Sequence, residues 1–183
     1  MTQKVLMAGF GGQGVMLMGE LLAYAAMLEG KQVTYMPSYG PEMRGGTANC
    51  SVVISDEEIS SPIVTEPAIL IAMNEPSMEK FEKSIAPSGM LFINRSLIRR
   101  TPLRQDIKCF PVECNELARA ILSEKIANIV MLGAVICASG IVSGESVGEV
   151  MRRKFVGKKS KFIPMNMKAL TVWSDHYEDE KRQ

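Results

Sequence analysis

An α/β fold is predicted: a mixed, mostly parallel sheet with helices on both faces, giving three layers. Three observations lead there. Residues 4–14, Lys-Val-Leu-Met-Ala-Gly-Phe-Gly-Gly-Gln-Gly, compress a strand, a tight turn and a helix start into one short stretch. The apolar runs 5–8 and 68–73 have the length and character of strands buried on both faces of a parallel sheet, and helical stretches separate them. Residues 48–55 alternate instead, with Ala48, Cys50, Val52 and Ile54 on one face and Asn49, Ser51 and Ser55 on the other. That pattern predicts an antiparallel strand with one wetter face, which makes the sheet mixed.

Taken in order, the first strand runs into Gly9, Gly11 and Gly14, which spell G-x-G-x-x-G between a strand and a helix, the context of a Rossmann-like fold. Glycines let backbone N–H groups approach an anion, and the following helix aims the positive end of its dipole at the same point. Gly9, Gly11, Gly12, Gln13 and Gly14 are therefore the candidate cofactor-binding residues. The alternative is a close strand-to-helix turn with no phosphate. A dinucleotide site also needs an acid at the end of the second strand to hold a ribose hydroxyl. The second strand is predicted at 32–36, closing a β-α-β unit, and Pro37, Ser38 and Tyr39 follow it. NAD is thus disfavoured, whereas NADP tolerates a serine and a nearby arginine.

The helix at 15–29 carries only Glu20 and Glu29 as charges and ends at Gly30, the position of a C-cap glycine. Being apolar nearly all round, it is expected to be covered on a second side by another element or chain. Residues 37–46, Pro-Ser-Tyr-Gly-Pro-Glu-Met-Arg-Gly-Gly, read as a structured loop whose prolines and glycines preset its shape. Ser38, Tyr39, Glu42, Arg44, Gly45 and Gly46 are its candidate interface or ligand residues, the alternative being an ordinary solvent loop. Asn74, Glu75 and Pro76 start a helix reaching Ile85. A turn at 87–89 leads to a strand at 90–93. A strand at 106–112 ends near a sheet edge because of Pro111, and a short helix covers 113–122. Residues 126–143 hold no charge, yet Asn128, Gly133, Ser139 and Gly140 interrupt them, so a core or subunit-interface helix is expected rather than a membrane span. Gly133, Ala134 and Ala138 would let another helix come close, and with 14 methionines they suit an oligomeric contact. A short helix at 148–155 precedes a basic run: Arg152, Arg153, Lys154, Lys158, Lys159 and Lys161. Lys158, Lys159 and Lys161 form a patch for phosphates or an acidic partner, or else a solvated face. Leu170, Trp173 and Tyr177 dock the last helix, and residues 179–183 fray.

The 183 residues, 46% hydrophobic and 22% charged, suit a single domain over 1–183. A formal net charge of +1 steers the chain to neither nucleic acid nor an anionic membrane. Cys50, Cys109, Cys114 and Cys137 form no C-x-x-C pair and read as reduced, buried thiols of a cytoplasmic protein, with no metal site. The lone His176 leaves no Ser-His-Asp or Cys-His system.

Gly9-Phe10-Gly11-Gly12-Gln13-Gly14, Ser38-Tyr39-Gly40-Pro41-Glu42-Met43-Arg44-Gly45-Gly46 and Asn128-Ile129-Val130-Met131-Leu132-Gly133-Ala134 together resemble the gamma subunit of the thiamine diphosphate dependent 2-oxoacid:ferredoxin oxidoreductases. The loop is the specific part of the match. The resemblance implies a chain inactive alone, assembled with alpha, beta and delta (ferredoxin-like) subunits, with ferredoxin as electron acceptor and a gamma homodimer as a further expectation. The assembly would convert a 2-oxoacid and CoA to an acyl-CoA and CO2, and the loop wording looks most like the 2-oxoglutarate type. It also implies that thiamine diphosphate, magnesium and iron-sulfur clusters belong to other subunits, with gamma helping to admit or hold CoA. A free-standing NADP-dependent reductase and a non-enzymatic nucleotide-binding module remain as alternatives.

Overall fold

Residues 2–38 and 47–181 are described in a computed structural model, with the backbone alone at Thr47 and at 176–181. Along them run β1 (Thr2–Phe10), α1 (Val15–Leu28), β2 (Gln32–Ser38), β3 (Thr47–Ser55), β4 (Ile69–Ala72), α2 (Glu75–Phe81), β5 (Met90–Asn94), β6 (Lys108–Val112), α3 (Cys114–Ile121), α4 (Ala127–Ser139), α5 (Gly144–Lys154) and α6 (Ile163–Lys181). One sheet holds the strands in the order β2-β3-β1-β4-β5-β6. β1, β4, β5 and β6 are parallel, and β3 is antiparallel to both its neighbours. The predicted α/β class, with its mixed and mostly parallel sheet, is the observed one.

Two hydrophobic clusters make the three layers. Val5 and Met7 of β1 face a large cluster containing residues of α1, α3, α4, α5 and α6. Leu6 faces the opposite way, into a smaller cluster with Met78 of α2, Ile85 and Ile98. This is the period of two expected of a strand covered on both faces. α2 starts where Asn74 Oδ1 accepts from the Ser77 backbone N–H at 2.9 Å, with Pro76 in its first turn, and passes into a short 3-10 turn at Glu82–Ser84 rather than staying α-helical to residue 85. α4 is the buried centre of the larger layer, and its residues from Ala127 to Ile136 are all covered. Its missing charges are thus explained by burial under α6 and α3, and no helix of the described residues is long and apolar enough to cross a membrane.

Several expectations need correction. The β-α-β unit closes, but β3 is inserted between β1 and β2, so the two parallel strands are not neighbours. The expected wet face of β3 is also largely covered: Ser51, Val53 and Ser55 are buried along with Cys50, Val52 and Ile54, while Asn49 stays half-buried. Ser55 is satisfied there by a 2.9 Å bond to Thr2 Oγ1 and by accepting from the Glu57 N–H. The sixth strand starts at Lys108, and it does lie at the sheet edge. α5 begins at Gly144 because Ser143 Oγ caps it, accepting from the Ser146 N–H at 3.1 Å. α6 keeps helical backbone to Lys181, docking through Leu170 and Trp173, while the Tyr177 side chain lies outside the described residues.

The cysteines are not uniformly buried either: Cys50 and Cys114 are, Cys109 is half-buried and Cys137 is exposed. Burial pushes the Cys50 thiol up to about 12 and raises that of Cys114 as well. Since the thiolate is the reactive form, iodoacetamide at pH 8 should label Cys137 first and leave Cys50 and Cys114 untouched until denaturant is added. Early labelling of Cys50, read by mass spectrometry of peptides, would show that the α1–β3 contact opens in the native state.

Candidate functional site at the carboxyl ends of the parallel strands

β1, β4 and β5 end on the same side of the sheet, and the segments that follow them converge on a cleft of about 220 Å³. Gly12 and Gln13 of the glycine turn, Met73 after β4, Asn94 at the end of β5, Asn115 of α3, and Glu124, Lys125, Ala127 and Asn128 before and in α4 line it. Carboxyl ends of parallel strands are where open α/β sheets bind ligands.

The turn is built by its backbone. The Gln13 N–H donates to Phe10 O at 3.1 Å, and Gly12 (φ +95°) and Gly14 (φ +74°) take left-handed conformations that a side chain would strain. Gly9 has a different reason to be glycine. A Cβ there would meet Gln13 Oε1 and Val15 Cγ2 at 2.8 Å, so the residue is needed for packing. A Cβ on Gly14 would also run into Asn128 Nδ2 at 2.4 Å, and that amide donates to Gly14 O at 3.3 Å, tying α4 to the turn. Gly12 alone of these three faces open space.

Gln13 closes the inner side of the turn. Its Oε1 accepts from the Phe10 N–H at 2.7 Å and from Asn74 Nδ2 at 2.9 Å, and its Nε2 donates to Met73 O at 3.1 Å. The side chain therefore staples β1 to β4 across the crevice between them, and the Phe10 N–H is already used. Gln13→Ala should lower stability by about 1–2 kcal/mol through loss of these bonds, measured as a shift in urea midpoint. An unchanged midpoint would mean that water replaces all three at no cost.

The rest of the lining is amide-rich. Asn94 is buried; its Nδ2 donates to Asn115 Oδ1 at 3.0 Å, while its Oδ1 has no hydrogen-bond partner among the described residues. Ser96 Oγ accepts from the Asn115 N–H at 2.9 Å and donates to Glu116, and this bond holds the Glu116 carboxyl below its ordinary range. Glu124 is engaged by Arg119, which leaves Lys125 as the cation lining the cleft among the described residues.

Of the residues singled out from the sequence, Gly12 and Gln13 line the cleft, Gly9, Gly11 and Gly14 shape the turn beside it, and Ser38 ends β2 in register with Asn49. Tyr39, Glu42, Arg44, Gly45 and Gly46 lie outside the described residues. The strands on either side of them are placed: Thr47 pairs with Phe10, next to the glycine turn, and Ser38 stands two rungs down β3. Ser38 and Thr47 thus lie at the same end of the sheet as the glycine turn. Lys158, Lys159 and Lys161 are exposed on the 3-10 turn Gly157–Phe162 and do not line the cleft. The basic run is also less free than its sequence suggests, since Arg152 and Arg153 pair with Glu149 and Lys154 pairs with Glu20. Asn74, Asn94, Asn115 and Lys125 were missed by sequence reasoning. A signal was present, because Met73-Asn74 and Ile93-Asn94 each put an asparagine at the end of an apolar run.

The sequence pattern of the pyruvate ferredoxin/flavodoxin oxidoreductase family matches residues 4–172. Ketoisovalerate oxidoreductase subunit VorA of Methanothermobacter thermautotrophicus is 40% identical over 174 residues, which are 94% of this chain and 36% of that protein, so the chain spans about a third of VorA. 2-Oxoglutarate synthase subunit KorC of Methanocaldococcus jannaschii is 36% identical over 150 residues, 80% of each protein. Among solved structures, the gamma subunit of a keto/oxoacid ferredoxin oxidoreductase from Geobacter sulfurreducens superposes with a TM-score of 0.83 at 29% identity, covering 94% of both chains. A 2-oxoglutarate:ferredoxin oxidoreductase from Magnetococcus marinus shares the fold, with a TM-score of 0.85 at 23% identity over 92% of this chain and 30% of that one. The glycine turn, the strand order and the near-complete match place this chain in the pyruvate ferredoxin/flavodoxin oxidoreductase family, as a domain of its gamma type.

Proposed function

We propose that the chain serves as the gamma component of a thiamine diphosphate dependent 2-oxoacid:ferredoxin oxidoreductase, turning a 2-oxoacid, CoA and oxidised ferredoxin into acyl-CoA, CO2 and reduced ferredoxin. The observation that carries this reading is the similarity to KorC over 80% of both proteins, which makes the whole domain, and not one motif, the unit of likeness. Its role is accessory. Iron-sulfur clusters and the magnesium of thiamine diphosphate are assigned to partner alpha, beta and delta subunits, as the family resemblance implies.

CoA is the cofactor whose chemistry suits the cleft. Gly12 presents backbone with open space above it, Lys125 supplies a positive charge, and the unpartnered Asn94 Oδ1 can accept from a ligand N–H or O–H. When bound, CoA supplies the thiol that takes the acyl group. This chain's contribution would be to hold the nucleotide end and keep that thiol in place. The NADP reductase alternative is weakened, because Gln13 fills the crevice between β1 and β4.

For the substrate, two readings stand. KorC relatives of comparable length support 2-oxoglutarate, and the higher identity to VorA supports a branched-chain 2-oxoacid. The experiment is purification of the assembled enzyme and assay against 2-oxoglutarate, 2-oxoisovalerate and pyruvate with viologen dye. The isolated chain should be colourless and reduce no dye with any of them. Turnover by the chain alone would overturn the assignment.

A further inference from the structure

We propose that the groove between α1 and α5 is where this chain docks the remainder of its enzyme, and that the occupant is an apolar segment flanked by acidic residues. The proposal rests on the reading of the chain as one component of a larger assembly.

Tyr24, Met27 and Leu28 lie three and four residues apart on α1, hence on one stripe of the helix, and are 53%, 57% and 43% exposed. They border a groove of about 510 Å³ with Val150 of α5 as its buried floor. Single exposed leucines are ordinary on a protein surface; a contiguous stripe beside a groove marks a contact site. α1 carries one charge, Glu20, so the groove's polar groups come from α5: Arg153 and Lys154 form its rim.

Charge selects the occupant. Arg153 and Lys154 on the rim, with Arg152 beside them in sequence, are three cations whose ion pairs share only two acids, Glu149 and Glu20. These pairs are solvent-exposed and weak, so partner carboxylates can replace them at little cost. A second copy of the chain is disfavoured, because a two-fold contact through this patch would set one basic rim against another. The relatives supply a body to be docked. VorA and the Magnetococcus enzyme carry most of their polypeptide beyond this domain, at 36% and 30% coverage.

The test co-expresses the tagged full chain with the thiamine and cluster subunits and measures recovery of the complex. Tyr24→Glu with Met27→Glu should cut recovery at least tenfold, while the free variant keeps its melting temperature because both side chains are more than half exposed. Leu103→Glu, 74% exposed on the loop between β5 and β6, is the control and should recover the complex normally. Arg153→Glu should weaken recovery at low salt and much less at high salt. A photo-cross-linking residue at position 24 should capture an apolar segment of another subunit bearing Asp or Glu on either side. Normal recovery by the double variant overturns the proposal, as does cross-linking to a second copy or to a segment without acids. If the unmodified chain recovers no subunit, the assembly reading fails first and the groove proposal falls with it.

Discussion

Glu82→Ala is expected to cost about 3–5 kcal/mol, a fall in melting temperature of roughly 6–20 °C for a domain of this size. Glu82 is 2% exposed, and its carboxylate accepts from Arg100 Nη2 at 2.7 Å, from the Leu103 N–H and from the Arg104 N–H at 3.2 Å. One side chain thus holds the loop between β5 and β6 against the end of α2. Removing it strands a guanidinium that is only 24% exposed and leaves two N–H groups without their acceptor. Glu82→Gln should lie between, since the amide oxygen still accepts from the backbone while the charge is lost. Arg100→Ala should cost less than Glu82→Ala, because the carboxylate keeps its bonds to the loop backbone. A double-mutant cycle checks this ranking, and equal losses for Glu82→Ala and Arg100→Ala would mean that the loop bonds contribute nothing beyond the ion pair.

Gly133→Ala should destabilise by about 3 kcal/mol, the upper end for overpacking, even though alanine favours a helix by about 1 kcal/mol over glycine. A Cβ at this position would lie 2.0 Å from Leu170 O and 2.7 Å from Leu170 C, so the obstacle is the backbone of α6 and not a side chain able to turn away. The two helices would have to separate, taking Trp173 and Leu170 out of their covered positions. Chemical denaturation measures the loss. A variant as stable as the parent would mean that α6 shifts freely on α4 and that the close approach is not a source of stability. Of the small residues predicted to admit a neighbouring helix, Gly133 does so, and the neighbour there belongs to the same chain.

Part of the candidate site was legible from local signals. The glycine turn followed a buried strand as its motif requires, and Gly12 and Gln13 do line the cleft. Asn74 at the start of α2 and Gly30, left-handed just past α1, stood where the composition of helix ends puts them. The role of Gln13 was not legible, because it bonds to Met73 and Asn74, about sixty positions away, and no spacing rule reaches that far. For the same reason the six-cation run looked free in sequence, while in the fold Lys154 of α5 reaches Glu20 of α1.

By itself, then, the amino-acid order determined the α/β class, most elements to within a few residues, and the resemblance that led to the family, since periodicity, glycine and proline placement and short motifs all act within one or two turns of chain. Only the tertiary structure decided that β3 enters between β1 and β2, that its serine face is buried, and that three asparagines and a glutamine meet at the strand ends. Strand order is set by hydrogen bonds between segments free to pair with several neighbours, and burial follows from that pairing. A residue therefore carries its tendency in the sequence but acquires its partner in the fold.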